Sequence, residues 1–348
     1  MHADPNGMSD SNRQWILASR PEGKPTEENF ELVESERPEP DANEVLVRTR
    51  YLSVDPYMRG RMREGESYAD PWAVGEPMQA GVVGEVEQSN HDDFEAGDVV
   101  AGNLQWAEYS IALGSELTPV DSDLAPISTA LGVLGMPGRT AYFGTLEVAE
   151  PKPGETMVVS GAAGAVGSVV GQIARMAGAR VVGIAGSERK CEWLTDDLDF
   201  NAAINYNQED VHEALSEACP EGIDAYFDNV GGEITDAVFA NLNVDARVAV
   251  CGQIALYNAE ELPTGPRKLA TLIEKRARVQ GLLVSDFAPR FEAATERLGQ
   301  WVSEDELHYE ETITEGFENA PEAFIGLFEG ENIGKQLVEV TEDVRAAS

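Results

Sequence analysis

The stretch Gly161-Ala-Ala-Gly164-Ala-Val-Gly167 constrains this chain more than any other feature. It follows an apolar run, Met157 to Ser160, and leads into helix-length sequence that begins near Ser168. A glycine-rich hexamer alone is a weak signal, but between a buried strand and a helix it has a physical reading. Glycine lets the backbone turn sharply and lets a pyrophosphate come close, and the last glycine permits tight helix–sheet packing. The helix start then offers unpaired N–H groups and the positive end of its dipole to the phosphates. Ala162 stands where the first glycine of G-x-G-x-x-G is usual. We therefore expect Gly161, Ala163, Gly164, Ala165, Val166 and Gly167 to form a dinucleotide-binding turn. The bland alternative is a strand–helix turn with no ligand.

What surrounds the loop argues for the ligand. Apolar runs at Val181–Ala185, Ala202–Asn205, Ile223–Phe227, Arg247–Cys251 and Val279–Leu283 continue the strand series. Helix-length segments at Ser168–Ala177, Val211–Ala218 and Glu233–Leu242 lie between most of them, and Phe291–Val302 is a further helix. Strand and helix in alternation predict a doubly wound parallel sheet, an α/β Rossmann domain. Before Leu131 the texture differs, with short apolar runs broken by Gly and Pro. Glu44–Arg50 alternates apolar and polar residues, Gly81–Val86 and Asp98–Ala101 read as strands, and Gly97-Asp98 suits a tight turn. That half predicts a mostly β domain, a barrel or open roll. Two domains also suit 348 residues. Their expected extents are 13–132 together with 305–348, and 133–304. The strand-like segments His308–Ile313 and Lys335–Val340 return to the first domain. Residues 1–12 are polar, lack the apolar core of a secretory signal, and read as a flexible tail with Met8 as a candidate start.

The cofactor is chosen at the end of the second strand, where an NAD site presents an acid to the ribose hydroxyls. Here VVGIA ends in Gly186-Ser187, with no carboxylate at the tip, and Lys190 follows. A 2′-phosphate meets no repulsion there and finds a cation, so NADP(H) is expected over NAD(H). Glu188 keeps the other choice open, since a different fold of this loop would let it serve the ribose.

Charge excludes other roles. The chain carries 63 Asp and Glu against 25 Lys and Arg, a net −38, so a polyanion such as nucleic acid is repelled. Only six of the 25 cations are lysine. Acid excess with few lysines suits a cytoplasmic protein of a salt-accumulating halophile, and an acidic mesophilic enzyme is the plain alternative. No apolar run approaches the roughly 20 residues a membrane span needs. Cys191, Cys219 and Cys251 are far apart, which fits a reducing compartment and argues against disulfides or structural zinc. The histidines His2, His91, His212 and His308 show no ligand spacing with a cysteine, so no metal is expected. Without a Lewis acid, alcohol oxidation is harder than hydride transfer to a conjugated enone, whose negative charge spreads into an enolate.

Several long motifs in one order carry a resemblance. They are RQWILASRPEG (Arg13–Gly23), YLSVDPYMRGRM (Tyr51–Met62), GVLGMPGRTAYFG (Gly132–Gly144) and AAGAVGSVVGQIA (Ala162–Ala174). FDNVGG (Phe227–Gly232), CGQIALYN (Cys251–Asn258) and GFENAPEAFIGLFEGENIGK (Gly316–Lys335) follow. Over nearly its whole length the chain resembles the medium-chain dehydrogenase/reductase superfamily, in its zinc-free alkenal/one reductase branch. That branch holds prostaglandin reductases (leukotriene B4 12-hydroxydehydrogenases), plant double-bond reductases and bacterial NADPH-dependent curcumin reductases, and the chain is most similar to the last group. The resemblance implies a GroES-like catalytic domain beside the Rossmann domain and a homodimer formed through the Rossmann domains. It implies that Lys190, in the loop with Gly186 and Ser187, grips the 2′-phosphate. Tyr206 would contact the adenosine, and Asn229, Cys251 and Gly252 would line the cofactor. Met136 and Thr140 would lie on the nicotinamide side, Leu283 and Val284 would hold the carboxamide, and Asn332 with Gly334 would give a C-terminal contact. Tyr57 and Tyr257 would line the substrate cleft. One departure is WLTDDLDF (Trp193–Phe200), which replaces the family's leucine–glycine–phenylalanine run before Tyr206.

The expected reaction is NADPH-dependent reduction of the carbon–carbon double bond of an α,β-unsaturated ketone or aldehyde. The enolate-like oxygen needs a hydrogen-bond donor, for which Tyr257 is the leading candidate, while Tyr57 shapes the cleft. For either tyrosine, simple packing with a wet hydroxyl is the alternative. Cys251 ends a buried-looking strand with no histidine nearby, so packing or cofactor contact is favoured over a nucleophile. Two rival functions stay open: an NADPH quinone reductase of the same superfamily, and a non-catalytic NADP-binding protein.

Overall fold

The computed structural model describes residues 11–65, 67–261 and 263–340. The expected tail lies outside the described residues as far as residue 10, and so do Met8 and His2. Ser11 and Asn12, expected in that tail, instead open a strand. Asn12 is fully buried, and its side chain pairs with the backbone of Tyr109 in both directions at 2.9 and 3.0 Å.

The chain divides into two compact units. The first holds residues up to Leu131, Ile313–Leu327 and those from Gln336. Its strands are β1 (Ser11–Leu17), β2 (Phe30–Glu36), β3 (Glu44–Ser53), β4 (Gln79–Ser89), β5 (Val99–Gln105), β6 (Tyr109–Leu113) and β7 (Thr118–Pro119). The second holds Gly132–Thr312 and Phe328–Lys335. Its strands are β8 (Thr156–Ser160), β9 (Arg180–Ala185), β10 (Ala202–Asn205), β11 (Ile223–Asp228), β12 (Leu242–Val250) and β13 (Arg278–Gly281). Two late strands, β14 (Glu311–Glu315) and β15 (Lys335–Glu339), complete the sheet of the first unit.

In the first unit β1 and β2 pair antiparallel, and seven strands form a sheet in the order β14-β15-β3-β4-β5-β7, with β6 also on β3. β3 buries Val45, Leu46, Val47 and Leu52. Trp106 is fully buried, stacked on Phe30 at 6.3 Å between ring centres and meeting Phe324 edge-on at 6.2 Å. Gly97 turns the chain between β4 and β5 at φ 96, where a side chain would be strained.

In the second unit six parallel strands run in the order β10-β9-β8-β11-β12-β13. This is the doubly wound order of a dinucleotide-binding domain, with the switch of direction at β8, the strand that feeds the glycine loop. Successive residues of β11 point to opposite faces. Tyr226 joins Leu215, Ile234 and Val238 from the helices Val211–Ala218 and Gly232–Ala240. Phe227 packs on the other side, against Gly144, where any added methyl would strike its ring. Cys219 is buried in the first of these cores, where burial pushes its thiol up to about 11.

Some boundaries differ from expectation. β12 begins at Leu242, before Arg247, through a bulge-like stretch in which Val244 and Asp245 are both exposed and Asp245 holds φ 65, between buried Leu242 and Ala246. The segment expected to extend from His308 starts its strand at Glu311. Residues 305–312 and Phe328–Lys335, expected with the first domain, belong to the second unit. The tie is local: the side chain of Gln172 donates to His308 O at 2.9 Å and accepts from His308 N at 2.8 Å. Among the described residues no helix is long and apolar enough to cross a membrane.

Candidate functional site

The glycine loop leaves β8 at Gly161, which adopts φ 58. Ala162 then donates to Ile184 O of β9 at 3.1 Å, and Gly164 turns back onto Gly161 O at 3.1 Å. Gly167 starts the helix Gly167–Met176. A methyl there would run into the carbonyl of Gly161 and the backbone of Ala162, so the chain crosses itself where only hydrogen fits. The first amides of a helix generally lack intrahelical partners, though here Ser168 N donates back to Gly164 O at 3.1 Å. Ala162 and Ala163 are buried beneath the turn, which accounts for alanine at a usual glycine position.

The carboxyl end of β9 carries the cation. Ser187 caps the helix Glu188–Glu192, its hydroxyl accepting Lys190 N at 3.4 Å. Lys190 is half-buried, and its ammonium donates to Gly330 O at 2.8 Å. Burial lowers its pKa below the ordinary 10.5. A methyl at Gly186 would come within 2.7 Å of the Tyr206 hydroxyl, so that ring lies on the Gly186 backbone. Tyr206 remains 44% exposed, and Asn207 Nδ2 closes the turn on Gly186 O at 2.7 Å. Glu188 is exposed at the first helical position. In the unusual run after Lys190, Leu198 and Phe200 are buried while Asp199 holds φ 54 between them. An aspartate therefore takes a conformation that glycine favours.

At the ends of β11 and β12, Asn229 Nδ2 donates to Ser160 O at 2.7 Å, and Asn229 N donates to Ser160 Oγ at 3.0 Å. The amides of Cys251 and Gly252 donate to Asp228 O at 2.8 and 3.0 Å. Burial, and then the charge of Asp228, pushes the Cys251 thiol up to about 12, which leaves it protonated and no nucleophile. Gln253 N reaches the Tyr257 hydroxyl at 3.4 Å, and an added methyl at Gly252 would lie 3.4 Å from that hydroxyl. Burial raises the Tyr257 pKa above its ordinary 10.0, so the phenol stays a donor at neutral pH.

The other expected residues fall as follows. Met136 opens the helix Met136–Phe143, and the Thr140 hydroxyl donates to Met136 O at 2.7 Å. Gly334 pairs with Gly164 and donates to Ala163 O at 2.8 Å, so the C-terminal contact meets the glycine loop directly. Asn332 Nδ2 donates to Gly334 O at 2.8 Å. Leu283 and Val284, expected on a strand, lie past its end: β13 stops at Gly281, and Val284 starts a short 3-10 helix over Val284–Arg290. The strand stops early because the chain turns, with Asp286 N donating back to Leu283 O at 3.1 Å. Tyr57 lies in the first unit, just before the helix Met58–Arg61. Burial, then the charge of Asp55, raises its pKa.

Sequence reading missed Ser160, Asp228, Gln253 and Gly330. Among the described residues no group of three or more His, Cys, Asp or Glu is placed to hold a metal.

Comparison with known proteins gives two family matches, "N-terminal domain of oxidoreductase" over residues 13–120 and "Zinc-binding dehydrogenase" over 165–300. The chain is 48% identical over 337 residues to the NADPH-dependent curcumin reductase of Escherichia coli K12, covering 95% of this chain and 98% of that protein. It is 43% identical over 340 residues to the NADP(+)-dependent 2-alkenal reductase of Nicotiana tabacum, covering 96% and 98%. The crystal structure of CurA from Vibrio vulnificus with NADPH superposes with a TM-score of 0.91 at 46% identity, covering 95% of this chain and all of that one (100%).

Proposed function

The chain belongs to the zinc-independent medium-chain dehydrogenase/reductase superfamily, in its alkenal/one reductase branch, and from that premise we infer that it reduces the C=C bond of α,β-unsaturated ketones and aldehydes with NADPH. Its first unit is the β-rich GroES-like domain and its second the Rossmann domain. One observation carries the chemical reading: the Tyr257 hydroxyl accepts from the Gln253 backbone N–H beside Gly252, in the same unit as the glycine loop.

The residues fit NADP(H). Gly161, Gly164 and Gly167, with Ala163, Ala165 and Val166, would seat the pyrophosphate at the helix start. Lys190, with Gly186 and Ser187, would take the 2′-phosphate, and Tyr206 would cover the adenine side. Asn229, Cys251 and Gly252 would line the cofactor, Met136 and Thr140 its nicotinamide side, Leu283 and Val284 would hold the carboxamide, and Asn332 with Gly334 would give the C-terminal contact. When bound, NADPH supplies the hydride that the β-carbon of the enone accepts. Tyr257 donates a hydrogen bond to the carbonyl oxygen as charge moves onto it, which lowers the barrier in a water-poor site. The α-carbon then takes a proton from water or a tyrosine. Tyr57 would shape the substrate cleft.

We further propose a homodimer. β13 is the open edge of its sheet, and beside it Leu269 and Ile273 are 77% and 81% exposed, with Val279 and Leu283 also exposed. A bare sheet edge with adjoining apolar side chains is what a second copy covers. The acid excess and scarcity of lysine support a cytoplasmic role in a salt-accumulating cell.

The direct test is NADPH oxidation with 3-nonen-2-one in molar KCl, with NADH alongside. Loss of NADPH absorbance with formation of the saturated ketone is expected. NADPH binding without turnover of the enone, but with turnover of a quinone, would move the assignment to a quinone reductase. Binding with no turnover of any acceptor would leave a non-catalytic binder.

A further inference from the structure

Asp228 lies at the end of β11, fully buried, and among the described residues no lysine or arginine pairs with it. Its charge is balanced by neutral donors alone. Oδ1 accepts from Ser160 Oγ at 3.1 Å, the Tyr226 hydroxyl at 2.8 Å, and the amides of Val230 and Gly231 at 3.0 and 2.8 Å. Oδ2 accepts from Thr235 Oγ1 and from Gln253 Nε2, both at 2.8 Å. A buried carboxylate is tolerated when every lone pair is used in this way, and losing a donor or the charge is costly.

Four of the six donors come from three separate strand ends, while Tyr226 lies within β11 and Thr235 on the helix Gly232–Ala240. Ser160 closes β8 at the root of the glycine loop, Val230 and Gly231 form the turn after β11, and Gln253 follows β12. Gln253 is tightly seated: a methyl at Gly231 would strike its amide, and Gly231 holds φ 75, which glycine favours. The same amide nitrogen donates to Gly252 O at 2.9 Å, and the Gln253 backbone N–H donates to the Tyr257 hydroxyl.

We propose that the Asp228–Gln253 pair is the positioning element of this site, fixing the Asn229 turn and the Gly252–Tyr257 segment in one register against the glycine loop. Neither residue need touch substrate; each acts through Asn229, Gly252 and Tyr257. The proposal rests on the reductase reading only for its turnover arm. Its binding arm, the NADPH dissociation constant read by nicotinamide fluorescence, needs no substrate.

Gln253→Leu removes the tie and leaves Asp228 five of its donors, so the fold is expected to hold, with a somewhat lowered melting temperature. For that variant we expect the NADPH dissociation constant to rise about fivefold and kcat with 3-nonen-2-one at saturating NADPH to fall about tenfold, since small displacements at a reacting centre are costly. Asp228→Asn should raise the dissociation constant at least tenfold, the scale of a hydrogen bond lost from a charged group. The double variant Asp228→Asn with Gln253→Glu restores one charge and reverses the direction of the bond, and should bind NADPH more tightly than Asp228→Asn alone. A Gln253→Leu protein within twofold of wild type in both binding and kcat would overturn the proposal, as would one in which only the melting temperature falls. A folded double variant no better than Asp228→Asn would do the same. If wild type binds NADPH but turns over no enone, the reductase reading fails, and the dissociation constants still decide the pair's role.

Discussion

The ammonium of Lys190 donates to the carbonyl oxygen of Gly330, 140 positions away in the chain, at 2.8 Å. A neutral carbonyl is a weak partner for a half-buried cation, so the lysine is held in place yet remains available to a phosphate. Lys190→Ala should raise KM for NADPH by about 10- to 100-fold, the 1.5–3 kcal/mol of a charged hydrogen bond, and leave KM for NADH nearly unchanged. Steady-state kinetics with both cofactors gives the ratio. Because burial lowers this pKa from 10.5, NADPH affinity should weaken as pH rises and begin to do so below the ordinary lysine value. Equal loss for both cofactors would remove Lys190 from the 2′-phosphate.

Tyr257→Phe keeps the ring and deletes the donor. Loss of one donor to a developing oxyanion costs about 100-fold or more in kcat, so kcat should fall by at least tenfold with little change in KM for NADPH. Burial raises the Tyr257 pKa above the ordinary 10.0, so any alkaline loss of wild-type kcat from this group should set in later than for a free phenol. Turnover unchanged in the phenylalanine variant would exclude the residue from the chemistry.

Gly167→Ala forces a methyl against the carbonyl of Gly161. Overpacking of this kind costs about 1–3 kcal/mol, so the variant should melt at lower temperature and bind NADPH weakly. Gly97→Ala is the comparison, since a methyl there meets open space and only the strain of φ 96 is added. Its melting temperature may be compared directly by calorimetry, with cofactor affinity expected to stay at the wild-type value.

Much of this architecture was legible because burial on both faces forces near-continuous apolar strands. TMVVS and RVVGIA announce themselves, and the glycine loop between strand and helix fixes the order of the sheet. The exceptions have physical reasons. The first half of β12 reads as a loop because Asn243, Val244 and Asp245 break the strand alternation where the strand bends at Asp245. Leu283 and Val284 look like strand by composition, but the chain turns at Gly281. Asp228 escaped notice because its importance lies in donors from Ser160 and Gln253, 68 and 25 residues away, and no local pattern encodes such convergence. Lys190 is legible as a candidate because a missing acid and a rare lysine both lie within a few residues of one strand end.

Ile273→Glu places a charge on the most exposed of the apolar side chains beside β13. Light scattering after gel filtration in molar KCl should show the mass of two chains for wild type and one for the variant, with the circular dichroism spectrum unchanged. Wild type that elutes as a single chain would end the dimer proposal.

Salt should govern stability. At 1 M the Debye length is about 3 Å, against about 10 Å at 0.1 M, so the repulsion within a chain of net −38 is largely silenced in molar salt. Melting temperature should fall steadily on dilution from molar KCl to dilute buffer. An unchanged melting curve would sink the halophile reading.

The pairing of Gly164 with Gly334, and of β15 with β3, also has a consequence for biosynthesis. Domains often fold as they leave the ribosome, amino end first. Here neither unit can finish from its early residues alone, because the nucleotide loop awaits Gly334 and the β sheet awaits β15, both far along the chain. A nascent chain arrested before residue 334 should be protease-sensitive at both the glycine loop and β3, and one that extends past residue 340 should resist. One short segment, 334–339, thus completes two folding units at once.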